Sequence, residues 1–89
     1  MNIVTKRYFK RLAESDLGEG VVYLEVQDGW PSRQVEIYGE QWRGADRERS
    51  EWFADQPFSE LGLEQHDEIA ASEFETVWSE ALNRCPQLS

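Results

Sequence analysis

The chain has 89 residues, 39% hydrophobic and 12% aromatic, and nine Lys and Arg against eighteen Asp and Glu leave a formal net charge of -9. That length bounds one domain with one core, and four Trp, four Phe and three Tyr exclude an intrinsically disordered chain. Neither the acidic balance nor the apolar pattern favours bare nucleic acid or a bilayer as a partner: phosphate binding needs Lys and Arg, and no apolar run approaches the roughly 20 residues that span a membrane.

Residues 1–12 put charges where a signal peptide needs its apolar segment, so the expected compartment is the cytoplasm. Val4, Tyr8 and Leu12 fit helical spacing, whereas Tyr8, Lys10 and Leu12 alternate with Phe9 and Arg11 as a strand does. The glycine-rich turn Asp16 to Gly20, leading straight into Val21, favours a strand over Lys6 to Leu12.

Val21 to Val26 has the period of two that marks a half-buried strand, with Val22, Leu24 and Val26 on one side and Val21, Tyr23 and Glu25 on the other. Arg33 to Tyr38 repeats the pattern, Val35 and Ile37 against Gln34, Glu36 and Tyr38. Between them, Gln27 to Ser32 reads as a hairpin loop, because Asp28-Gly29 supplies turn chemistry and Pro31 cannot donate to a central ladder. Gly39-Glu40 offers a second reversal into Gln41 to Ala45, where Trp42 is the large apolar group.

From Asp46 to Ala71 the pattern is irregular, with Trp52, Phe53, Phe58, Leu61, Leu63 and Ile69 among acids and Pro57. A long anchored connection is expected, with a helical turn at Ser59 to Leu61 and a short strand at Glu68 to Ala70. Ser72-Glu73-Phe74-Glu75 has the form of a capping box and predicts a helix starting there. Phe74, Val77, Trp78, Ala81 and Leu82 fall on one stripe, and Pro86 ends the helix.

The fold these elements predict is α+β, an antiparallel meander of three to four strands packed on one face by a C-terminal helix. Val22, Leu24, Val26, Val35, Ile37 and Trp42 are expected beneath the helix. Tyr23 and Tyr38, with Glu25, Glu36 and Phe9, are expected on the open face. Charge is uneven as well: Lys6, Arg7, Lys10 and Arg11 lie together, while Ser50 to Asn83 contains nine acids and no Lys or Arg, which predicts a charge dipole.

Arg7-Tyr8-Phe9-Lys10, Tyr23-Leu24-Glu25-Val26, Asp28-Gly29-Trp30, Arg33 to Tyr38 and Glu73 to Trp78 together resemble a family of small uncharacterised bacterial domains. That family runs from an aromatic-lysine strand to a closing Glu-Phe-x-x-Val-Trp helix. The resemblance covers most of the chain and matches Arg47 to Ala71 only loosely. It implies no catalytic residues, and some relatives resemble the immunity proteins that accompany bacterial toxins.

Chemistry-bearing residues are few. His66, in Glu64-Gln65-His66-Asp67-Glu68, matches neither a zinc spacing nor a calcium loop, and reads as an exposed loop residue. Cys85 cannot form an internal disulfide, and nothing local pairs it with His66. Gly18 and Gly20 lie between strands with no following helix, so they are turn residues and no phosphate loop is present; no metal or cofactor is expected. The candidate interaction residues are Tyr23, Tyr38, Trp30 and Arg33, since Tyr, Trp and Arg anchor protein interfaces. The expectation is a non-enzymatic module that binds a protein partner or itself. The alternative is an immunity-type inhibitor or nucleic-acid mimic that binds a basic partner.

Overall fold

Two left-handed residues set the first feature of the architecture. Asp28 and Gly29 have φ of 53° and 85°, the turn whose twist matches the strands of a hairpin, and they join Gln27 directly to Trp30. The connection expected over Gln27 to Ser32 is therefore a two-residue turn, and the strand after it begins at Trp30. The computed structural model describes residues 5–16, 18–46 and 63–85. The expected turn at Ser59 to Leu61, the aromatic residues Trp52, Phe53 and Phe58, and Pro86 lie outside the described residues.

Five strands are present: β1 (Lys6–Ser15), β2 (Gly18–Gln27), β3 (Trp30–Tyr38), β4 (Gln41–Asp46) and β5 (Glu68–Ile69). They form one antiparallel sheet in the order β4-β3-β2-β1-β5, one strand more than the upper expectation. A 3-10 turn at Gln65–Asp67 precedes β5, and helix α1 (Ala71–Arg84) follows it after the single residue Ala70. The fold is α+β, as the patterning predicts, and the strand reading of the first segment holds through Ser15.

The expected capping box does not form. Helix α1 is capped two residues earlier, with Ala70 as its N-cap and no side-chain cap, so Ser72 is already inside the first turn. The Glu75 carboxylate bonds to Arg33 on β3 instead. At the other end Cys85 is extended (φ -118°, ψ 92°), the conformation favoured by a residue that precedes a proline.

The face assignment of β2 is overturned by one residue. Counting back from the Asp28-Gly29 turn without interruption would put Val22 opposite Val35. The register instead slips between Glu25 and Val26, so Glu25 faces Arg33 and Tyr23 faces Val35, leaving Ser32 as the extra residue. A one-residue bulge moves every side chain beyond it to the other face. Val21 and Tyr23 therefore join Val35, Ile37 and Trp42 beneath α1, and Val22, Leu24 and Val26 turn away from it.

The result is a sheet with apolar residues on both sides. Against α1, Tyr23, Val35, Phe74, Ala81 and Cys85 are buried together, with Tyr8, Ile69, Val77 and Trp78 packed around them. On the other side Phe9, Leu24 and Val26 are buried and Leu63 packs against them. Tyr38 belongs to this second side, and its ring closes over Gly20, where an added Cβ would lie 2.4 Å from the ring and 2.3 Å from the Ile37 carbonyl oxygen. Glycine is required there by contact.

Candidate functional site

Of the four residues singled out by sequence, the structure places two inside the fold. Tyr23 and Tyr38, expected to share an open face, lie on opposite faces, because the bulge at Ser32 reverses β2 alone. Tyr23 is buried under α1, and the Lys10 ammonium sits 5.4 Å from its ring centroid. Tyr38 is buried over Gly20, with the Arg43 guanidinium 5.7 Å from its ring centroid and its hydroxyl donating to Glu36 at 3.4 Å. Burial pushes the Tyr38 hydroxyl up, and the Glu36 charge adds to that.

Arg33 is the centre of a polar cluster under the helix. Its Nε donates to Glu25 Oε1 at 2.9 Å, and its Nη2 donates to both Glu25 and Glu75. The guanidinium lies 5.0 Å from the Phe74 ring centroid and 5.1 Å from that of Trp78. Glu25 is only 3% exposed, yet every buried oxygen and nitrogen among the described side chains is satisfied. Ser32, the bulged residue, donates to Glu25 Oε1 at 2.7 Å, and Tyr8 hydrogen-bonds to Glu25 as well. Burial alone would push the Glu25 carboxyl up; the bonds from Arg33 and Ser32, with the Arg33 charge, outweigh it and bring it down to about 2. The Arg33 guanidinium is correspondingly raised by its bond to Glu25, against the effect of burial. A carboxylate locked in its charged form by a fixed cation has no proton to exchange near neutrality. The cluster ties the sheet to the helix.

Of the nine acids behind the expected charge dipole, Glu51, Asp55 and Glu60 lie outside the described residues, and the other six meet basic side chains. Arg7 bonds to Glu68 at 3.1 Å, Lys10 approaches Glu73 at 4.0 Å, Arg33 pairs with Glu75, and Arg84 pairs with Glu80 at 2.7 Å. Glu64 and Asp67 flank the two ring nitrogens of His66 at 3.1 and 3.4 Å. Every acid from Glu64 to Glu80 thus faces a basic side chain, and the basic strand β1 supplies two of those partners.

His66 and Cys85 are held apart by topology. His66 precedes β5 at one edge of the sheet, while the Cys85 thiol donates to the Trp42 carbonyl on β4 at the other edge. Four interstrand steps separate those edges, roughly 19 Å. Burial pushes the Cys85 thiol up, away from the thiolate a nucleophile needs. Among the described residues no group of His, Cys, Asp and Glu is placed to hold a metal ion, and no helix is long and apolar enough to cross a membrane.

Among the described residues, Leu12, Trp30 and Leu82 are the exposed large apolar side chains. Trp30, at the start of β3 beside the turn, is 48% exposed. Leu12 was missed by sequence reasoning: near the end of the long β1–β2 hairpin, it is 84% exposed. Two hollows meet at Leu12. One, of about 420 Å³, has Val22, Leu24 and Leu63 among its lining residues; the other, of about 310 Å³, is lined by Leu12, Ala13, Glu14, Glu19 and Gly20. The detectable signal was the length of alternation on either side of the Asp16 to Gly20 turn, which carries β1 beyond Leu12 and past the reach of the helix.

No family model, no curated protein and no solved structure matches the chain.

Proposed function

We propose that this protein is a non-enzymatic binding domain that engages a protein partner through the end of its β1–β2 hairpin. The observation that supports the reading is Leu12: a large aliphatic side chain, 84% exposed on a paired strand, bordering the hollow of about 310 Å³ that Ala13, Glu14, Glu19 and Gly20 also line. Exposed apolar groups beside concavities are where protein interfaces place their anchors. The residues available for chemistry support binding over catalysis, since Glu25 is held ionised, the Cys85 thiol is buried, and His66 lies across the sheet from it.

The alternative, an immunity-type inhibitor or nucleic-acid mimic using the acidic stretch, has less support. Its acids from Glu64 to Glu80 already face basic groups of the same chain. Trp30 is a second contact residue available to the same partner or to another.

The test compares proteins retained from native lysate by the wild type and by Leu12→Asp, with a thermal melt of each to confirm folding. Species retained by the wild type and lost by the variant support the hairpin end as the binding surface. Identical recoveries from two folded proteins remove it.

A further inference from the structure

The proposed docking surface has a charge pattern that specifies its occupant. Glu14 and Glu19 face each other across β1 and β2, and both line the hollow beside Leu12. Like charges placed directly opposite on neighbouring strands repel. Asp16 follows in the turn between them. None of the three takes part in an ion pair among the described residues, whereas each acid from Glu64 to Glu80 does. The acids of this fold are matched by bases everywhere along the helix and left facing one another at the hairpin end.

Resting on the reading of that end as the binding surface, we infer that its occupant is a polypeptide segment carrying Lys or Arg next to a large apolar residue. The apolar side chain packs on Leu12 and the adjoining hollow. The cation sits between the Glu14 and Glu19 carboxylates and relieves their repulsion. A second copy of this chain fits poorly, because its net charge of -9 would bring repulsion to the contact. An acidic or purely apolar segment leaves the facing carboxylates unrelieved.

A random-peptide library displayed on phage, selected against the full chain at low salt, tests the inference, with each enriched peptide then synthesised and titrated. The expected peptides pair Lys or Arg with a neighbouring aliphatic or aromatic residue. Their affinity falls about three- to tenfold for Glu14→Gln/Glu19→Gln and falls steeply with added salt. Leu12→Ser abolishes their binding. The double glutamine variant should melt no lower than the wild type, because it removes a repulsion and no contact. Peptides that lose binding to Leu12→Ser but bind the glutamine variant unchanged would overturn the charge rule and leave the docking surface standing. Peptides indifferent to Leu12→Ser, or no enrichment at all, would remove both. Concentration-dependent dimerisation lost in Leu12→Ser would replace the basic segment with a second copy.

Discussion

Glu25 and Arg33 face each other across β2 and β3, and each is held by a partner from elsewhere: Glu25 by the bulged Ser32, Arg33 by Glu75 of the helix. The carboxyl titrates near 2 in the folded chain and about 4.5 when unfolded. A depressed carboxyl stabilises the fold above its unfolded value, and that stability is lost as pH falls through the folded one. Stability should therefore decline between about pH 5 and pH 2, by on the order of 3 kcal/mol from this group. Glu25→Gln should be less stable at pH 7 and show a shallower acid decline, measured by urea unfolding across pH.

Arg33 and Arg7 provide a contrast in what a guanidinium does. Arg33 bonds to two carboxylates and lies over two rings beneath the helix, whereas Arg7 forks onto one exposed carboxylate, Glu68, and lies over one ring, Phe9. Lysine reproduces the charge but neither the fork nor the stacking. Arg33→Lys should destabilise by about 2 kcal/mol or more, and Arg7→Lys by less than about 1 kcal/mol. Equal losses in chemical denaturation would contradict the role assigned to the cluster.

Phe74 is fully buried against Tyr8, with ring centroids 5.2 Å apart, and its neighbour Trp78 is partly exposed. Phe74→Ala should cost about 3–5 kcal/mol, and Trp78→Ala less because it leaves a smaller buried void. With domain stabilities commonly about 5–15 kcal/mol, Phe74→Ala risks unfolding outright.

Gly20 has no space for a side chain. Gly20→Ala must displace the Tyr38 ring and also the Ile37 carbonyl, so a loss of roughly 1–3 kcal/mol is expected. Because one contact is backbone, adding Tyr38→Ala should not restore stability; full recovery in the double variant would show that the ring alone is the obstacle.

Cys85 is buried and its thiol bonds to the Trp42 carbonyl. Labelling with a disulfide reagent at neutral pH should be slow in the folded protein and fast in denaturant, and fast labelling of the native chain would show that the end of α1 does not stay docked.

The strands were legible because their alternation is local, and the turns because Asp28-Gly29 and Gly39-Glu40 carry their own chemistry. The side of β2 that meets the helix was not, since that strand is apolar on both faces and Val22 and Tyr23 compete for the same place. A bulge at Ser32 decides between them; it sets Ser32 and Arg33 against Glu25, contacts between two strands that no single segment carries. The capping box misled for the same reason: Glu75 finds a better partner in Arg33 than in its own backbone. Leu12 went unnoticed because exposure depends on where the helix stops, a property of no single segment.

Strand β1 receives Glu68 and Glu73 from residues more than half the chain away, Arg7 and Glu68 being separated by 61 positions. A four-stranded sheet formed before β5 and α1 dock onto it would leave Tyr8, Tyr23 and Val35 exposed to water in the interval. Contacts this distant in sequence slow folding. A chain truncated before Glu68 should therefore be the species most prone to aggregate.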